Sequence, residues 1–262
     1  MPVLGFIGTG NMGAAQARAA AKNPENRLLL ANRSMKKAEQ LREELGGEVT
    51  FNADALAADF TFLGVKPAGL EGLFEELRPA LAEAEKLPVL VSMAAVTPID
   101  RILSLAGREV PVIRIMPNTP VAVSRGVILY ACSRLVTKAQ EAAFLEAMSV
   151  SGRFIKTEER LIDAGACISG CGPAFVDLFA EALADGGVAC GLPRALALEL
   201  AAATLEGSAA LMLETKKHPA QLKDEVCSPG GTTIQGVRAL EKGGFRSAVM
   251  EAVLAARGKE KL

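Results

Sequence analysis

The chain has 262 residues, half of them hydrophobic, with 29 basic side chains against 30 acidic ones and a formal net charge of −1. That length suits two cores better than one, and so apolar and neutral a composition excludes both a disordered chain and an electrostatically driven nucleic-acid binder. A single His, His218, excludes a His-built metal centre, and any nucleophile needing an imidazole base would have to use it. Chemistry in such a chain leans on a bound cofactor.

A strand-like run, Val3–Ile7, begins almost at Met1 and leaves no room for a charged and then apolar leader. No uninterrupted apolar run reaches the roughly 18–20 residues of a membrane-spanning helix. The expectation is a soluble, cytoplasmic protein with no membrane or nucleic-acid partner. Further apolar runs at 28–31, 60–65, 88–93, 111–116 and 127–131 alternate with helical patterns such as 11–22 and 35–45. That alternation predicts a parallel sheet covered by helices. The five cysteines (Cys132, Cys167, Cys171, Cys190, Cys227) read as small core residues of a reduced protein, with Cys167 and Cys171 spaced as a ligand pair in the alternative.

After about residue 155 the pattern turns helical, which divides the chain into 1–155 and 156–262. Gly170, Gly172 and Pro173 inside a helical pattern predict a kink or a close backbone approach. Pro193 suits the first turn of a helix running to about Leu213, whose charges are only Arg194, Glu199 and Glu206. A helix apolar over most of its circumference must be buried on most sides. The C-terminal part is too small to surround it, so a homodimer is predicted. His218, before Pro219, reads as a surface turn.

The most informative local pattern is Gly8-Thr9-Gly10-Asn11-Met12-Gly13, which follows a strand directly and opens an Ala-rich helix. In that context it reads as a dinucleotide loop: one glycine for the tight turn, one for approach of the pyrophosphate, one for close helix–strand packing. Where an NAD-preferring site offers a carboxylate at the end of the second strand, this chain has Asn32-Arg33-Ser34, a set suited to a 2′-phosphate. NADPH is therefore predicted over NADH, with NADH as a weaker alternative.

Several segments together resemble the pyrroline-5-carboxylate reductase family. They are Val65-Lys66-Pro67, Arg114 through Pro120 (R-I-M-P-N-T-P), Ser169 through Phe175 (S-G-C-G-P-A-F), Asp185 through Arg194, and Leu222 through Ile234 with its S-P-G-G-T-T-I run. The resemblance implies a Rossmann-type doubly wound α/β sheet followed by an all-α dimerisation domain, in homodimers that can assemble as a pentamer of dimers. It implies cofactor contacts at Gly8 to Gly13, Asn32, Arg33, Ser34, Asn52, Val65, Lys66, Pro67, Met93, Ala94, Ala95 and Asn118. For a cyclic imine carrying a carboxylate it implies substrate contacts at Ser228, Gly230, Gly231, Thr232, Thr233 and Glu159, with Thr233 the catalytic hydroxyl. On physical grounds the same loop, opening a helix with free N–H groups at Gly230, Gly231, Thr232 and Thr233, suits a carboxylate. Val96 stands where the family pattern has Gly, and Cys171 and Phe175 where it commonly has Ser and Tyr. A β-hydroxyacid dehydrogenase shares the N-terminal pattern but needs a K-x-x-N arrangement absent from the second half. A non-catalytic paralogue would not need the S-P-G-G-T-T-I loop.

Overall fold

The computed structural model describes residues 1–258. The chain divides into two compact units, Met1–Gly170 and Cys171 onward.

The first unit carries an eight-stranded sheet in the order β3-β2-β1-β4-β5-β6-β7-β8. The strands are β1 (Val3–Ile7), β2 (Arg27–Ala31), β3 (Glu48–Thr50), β4 (Phe60–Leu63), β5 (Val89–Ser92), β6 (Val112–Met116), β7 (Gly126–Cys132) and β8 (Gly152–Lys156). Helices α1 (Asn11–Ala21), α2 (Met35–Leu45), α3 (Leu70–Glu83), α4 (Ile99–Ala106), α5 (Lys138–Ala147) and α6 (Glu159–Ser169) accompany it. The central strands are continuous apolar runs because both faces are covered. Phe6 stacks on Phe62 at 4.5 Å on the face of α1 and Phe144, while the neighbouring Ile7 and Leu63 turn to the other face, against α3 and α4.

Sheet pairing is parallel except between β6 and β7, which run antiparallel. Only a loop and a short 3₁₀ turn (Thr119–Val123) join these two strands, and without a crossover helix the chain returns antiparallel. Two strands were not legible as apolar runs. β3 and β8 lie at the sheet edges, and their Glu48, Arg153 and Lys156 interrupt the hydrophobic signal. The order reverses between β1 and β4, so the crevice beyond the carboxyl ends of those strands is the topological switch point where such sheets take ligands.

α6 packs on β7 closely enough that a Cβ on Gly165 would stand 2.4 Å from Leu129 Cδ1. Compactness thus places the division at Gly170, whereas the change in sequence pattern comes near residue 155. The helical run is interrupted at Gly170-Cys171, and a Cβ on Gly170 would lie 2.8 Å from the Ala166 carbonyl.

The second unit holds α7 (Gly172–Ala189), α8 (Arg194–Thr215), α9 (Pro219–Val226), α10 (Thr232–Lys242) and α11 (Phe245–Gly258). Its buried apolar residues among those described are Ala184, Ala197 and Ala201, with Leu192 packed against them. Around most of α8, Leu198, Leu200, Leu211 and Leu213 stay 46–56% exposed within one chain. Glu159–Ala189 and Arg194–Thr215 are long and apolar enough to cross a membrane by length and composition, although neither is an uninterrupted apolar run. His218 caps α9, its Nδ1 accepting from the Ala220 N–H at 3.2 Å, and is exposed. Of the cysteines only Cys167 is buried within the chain, while Cys171 and Cys190 are exposed, which corrects the expectation that all five are core residues.

Candidate active site

The glycine loop connects β1 to α1 at the switch point. Gly8 adopts φ +91°, a left-handed conformation that a Cβ resists, and its N–H donates to the Ala31 carbonyl at 2.9 Å. A Cβ on Gly13 would come within 2.0 Å of the Gly8 carbonyl, and one on Gly64 within 2.3 Å of the same oxygen. These residues therefore let β1, β4 and α1 close on one another. Gly10 is different. It is the exposed N-cap of α1, and nothing lies within 4 Å of where its Cβ would be. Ala14 N–H makes the first helical bond, to the Gly10 carbonyl, so the amides of Asn11, Met12 and Gly13 are left for an anion. Thr9 donates its N–H to Asn32 Oδ1 at 3.1 Å, while Asn32 Nδ2 donates to the Ser34 carbonyl. Asn32 thereby fixes the loop against the start of α2.

A cleft of about 680 Å³ opens over these elements. Gly8, Gly10, Asn32, Arg33, Ser34, Asn52, Val65 and Lys66 line it, eight of the cofactor residues expected from the sequence, whereas Pro67, Met93, Ala94, Ala95 and Asn118 do not. Ser34 is the N-cap of α2, and its hydroxyl makes no capping bond. Two charged lining residues are not evident from the sequence. Lys37, in the first turn of α2, adds a cation beside Arg33; Lys36 and Lys37 follow Arg33 in the sequence, but only the packing of α2 decides which of them faces the cleft. Glu76, from α3, puts a carboxylate in the cleft, where Asn52 Nδ2 donates to its Oε2 at 2.9 Å. Helical spacing in α3 gave no hint that Glu76 would face this cleft. The open space at Gly10, the unspent amides of α1 and the basic set on α2 fit a dinucleotide phosphate.

At the end of β5 Ser92 is fully buried, and beyond it Ala94 is nearly so. Ala94 N–H reaches Ser92 Oγ at 3.4 Å, and Thr97 Oγ1 donates to the Ala95 carbonyl at 3.1 Å. Between them Val96 sits at φ +54° and is 55% exposed, an uncommon conformation for a β-branched residue. Val96, Thr97, Pro67 and Ala68 line a second, smaller cleft of about 340 Å³, and Ala68 is shared with the larger one. Met93 packs against the core.

Two predicted contact residues are engaged elsewhere in the first unit. Asn118 donates from Nδ2 to the Ser169 carbonyl at 2.9 Å and accepts the Val127 N–H at Oδ1 at 2.8 Å, a clamp between β7 and the end of α6. Glu159 Oε1 accepts the Ile99 N–H at 2.6 Å and lies 3.6 Å from Nη1 of buried Arg114.

The loop expected from the sequence to hold the substrate belongs to the second unit. Ser228-Pro229-Gly230 turns with Gly230 at φ +71°, and extended Gly231 is the N-cap of α10. Gly231 N–H is spent on the Ser228 carbonyl at 3.0 Å, which removes it from the row of free donors expected from the sequence. Thr232 and Thr233 open α10 and are exposed, their amides belonging to the first turn, where no preceding carbonyl is in reach.

Comparison with known proteins bears on both units. A family model described as pyrroline-5-carboxylate reductase dimerisation matches residues 159–262, and one described as NADP oxidoreductase, coenzyme F420-dependent, matches residues 3–96. The chain is 41% identical over 258 residues to a pyrroline-5-carboxylate reductase of Glycine max, covering 97% of this chain and 93% of that one. It superposes on the crystal structure of Plasmodium falciparum pyrroline carboxylate reductase with NADP bound, with TM-score 0.86, 31% identity, and 99% and 97% of the two chains covered. A pyrroline-5-carboxylate reductase from Coxiella burnetii gives TM-score 0.88 at 33% identity, with the same coverage.

Proposed function

Since the chain belongs to the pyrroline-5-carboxylate reductase family, we propose how its residues divide the labour of that reaction. The reaction is the NAD(P)H-dependent reduction of 1-pyrroline-5-carboxylate to L-proline, the last step of proline biosynthesis, and the enzyme is a homodimeric oxidoreductase. The dinucleotide, when bound, supplies the hydride.

The loop amides of Asn11, Met12 and Gly13 hold the pyrophosphate, with Gly10 allowing its approach. Arg33, Ser34 and Lys37 take the 2′-phosphate and make NADPH the preferred donor. Val65, Lys66 and Pro67 on one side and Met93, Ala94 and Ala95 on the other border the cofactor's path toward the reacting end. Asn32 and Asn118 act through the backbone they hold. On the helical domain, the amides of Thr232 and Thr233, with Gly230 giving room, bind the substrate carboxylate, and Ser228 holds the turn. The Thr233 hydroxyl orients the imine nitrogen and passes it a proton from water as the hydride adds to the imine carbon. A threonine cannot supply that proton unaided. The protein's contribution is position and electrostatics, which needs no histidine.

The observation that carries the assignment is that the S-P-G-G-T-T run folds as a turn presenting Thr232 and Thr233 at an open helix start. In the assembly we place five dimers, in a soluble cytoplasmic enzyme whose apolar α8 is covered by the partner protomer. NADPH absorbance, followed with 1-pyrroline-5-carboxylate, should fall with the wild-type chain. In Thr233→Ala, kcat should drop about tenfold or more, the scale of proton-transfer assistance. An unchanged kcat removes Thr233 from the mechanism.

A further inference from the structure

We propose that Glu159 is a positioning residue, holding the loop Met93–Pro98 against the reacting end of the cofactor from outside the site. The proposal rests on the reading above, that this loop borders the nicotinamide. It departs from that family resemblance in giving Glu159 no contact with the imine.

An ionic cluster holds the far end of the loop, and its arginine is the sheet neighbour of the residue where the loop begins. At its start, Ser92 of β5 pairs in register with Arg114 of β6. At its end, the Ile99 N–H, the first amide of α4, donates to Glu159 Oε1 at 2.6 Å. The same oxygen lies 3.6 Å from Arg114 Nη1, and Arg114 Nη2 meets Asp163 Oδ1 at 2.5 Å. The Arg114 side chain is only 3% exposed, so its charge requires these two carboxylates. A carboxylate on the first amide of a helix is a charge-assisted bond and suits the helix dipole.

The loop itself needs such a hold. Val96, in its middle, is in the left-handed region without being glycine, a conformation that persists only where the surroundings enforce it. Asp163 contacts Arg114 but not the loop amide. The Glu159 carboxylate joins α6, where the dimerisation-family match begins, to the first amide after the loop beyond β5. Withdrawing its carboxylate lets the loop relax and displaces the nicotinamide, and small misplacements of reacting groups are costly.

The test uses the full-length dimer with 1-pyrroline-5-carboxylate and with NADPH carrying either hydrogen or deuterium at the transferred position. Glu159→Ala should lower kcat about tenfold, leave the imine KM within about twofold, and raise the primary isotope effect as hydride transfer becomes limiting. Glu159→Gln, which keeps an acceptor for the Ile99 N–H, should recover most of the rate. Asp163→Asn should lower thermal stability without raising the isotope effect. If Glu159→Ala does not fold, Glu159→Asp, one methylene short of the amide, carries the same expectation. A raised imine KM at unchanged kcat and isotope effect would overturn the proposal in favour of a substrate contact. Equal losses of kcat in Glu159→Ala and Asp163→Asn, with an unchanged isotope effect, would reduce Glu159 to a counter-ion for Arg114. A wild-type chain that oxidises no NADPH with the imine overturns the functional reading itself.

Discussion

Arg33 and Lys37 line the same cleft, and under the proposed 2′-phosphate role each would serve an NADPH preference differently. Arg33 presents a planar fork suited to a phosphate, whereas Lys37 adds a point charge. Arg33→Ala should raise the NADPH KM about tenfold and the NADH KM far less, with Lys37→Ala showing the same sense more weakly. Steady-state titrations of the two cofactors check this, and equal effects on both would remove the 2′-phosphate assignment. Val96 offers a different measurement. A non-glycine residue held in the left-handed region costs on the order of 1–3 kcal/mol. Val96→Gly should therefore raise the thermal midpoint of unfolding, and an unchanged or lower midpoint would show that the strain does not exceed the unfolded-chain entropy that glycine adds. Arg33 was legible from the missing carboxylate after β2. Lys37 and Glu76 were not, because which side of a helix faces a cleft depends on how that helix packs. The use of Asn118 and Glu159 for backbone amides was equally invisible, since their partners are distant in the chain.

Among the elements, the far edge of the sheet is tied by a charged cluster. Glu141 of α5 accepts the Tyr130 hydroxyl at 2.9 Å and meets the Lys156 ammonium of β8 at 2.7 Å. The Lys156 bond, outweighing the opposing cost of burial and helped by Tyr130, holds the Glu141 carboxyl below its ordinary range. Burial, with Glu141 adding, pushes the neighbouring Cys132 thiol up to about 11, so it stays protonated at neutral pH. A carboxyl depressed by folding stabilises the fold above its unfolded pKa of about 4.3 and loses that contribution as pH falls through the folded value. Urea unfolding should thus show wild type more stable than Glu141→Gln at about pH 6, with the gap closing by about pH 3. A gap independent of pH would assign the loss to packing. Lys156 is raised by the same bond, which places its own loss at the alkaline end. This cluster joins α5 to the β7–β8 edge, and β8 was a strand the hydrophobic pattern did not reveal.

For the molecule as a whole, the exposed apolar helices are the dominant fact. Leu198, Leu200, Leu211 and Leu213 of α8 are each about half exposed in one chain, on a helix with scarcely any polar face. Fully burying such a side chain contributes about 1.5–3 kcal/mol, so several leucines per protomer supply ample drive for association. Sedimentation at micromolar concentration should show a dimer or a multiple of it, and Leu211→Glu should shift the distribution toward monomer. A wild-type monomer would sink the shared-core reading. The need for such a surface is legible in the amino-acid sequence, because an all-apolar helix in a thin domain has to find burial elsewhere. The glycine loop, the central strands and the start of α10 are legible for the same kind of reason. Each depends on residues close together in sequence, whose backbone freedom or hydrophobic period acts locally. The antiparallel return of β7, the edge strands, the second cation on α2 and the engagement of Glu159 with Ile99 were settled only in three dimensions. Each is a contact between segments far apart in the chain, and local sequence carries no record of which distant amide, charge or strand edge will lie beside it.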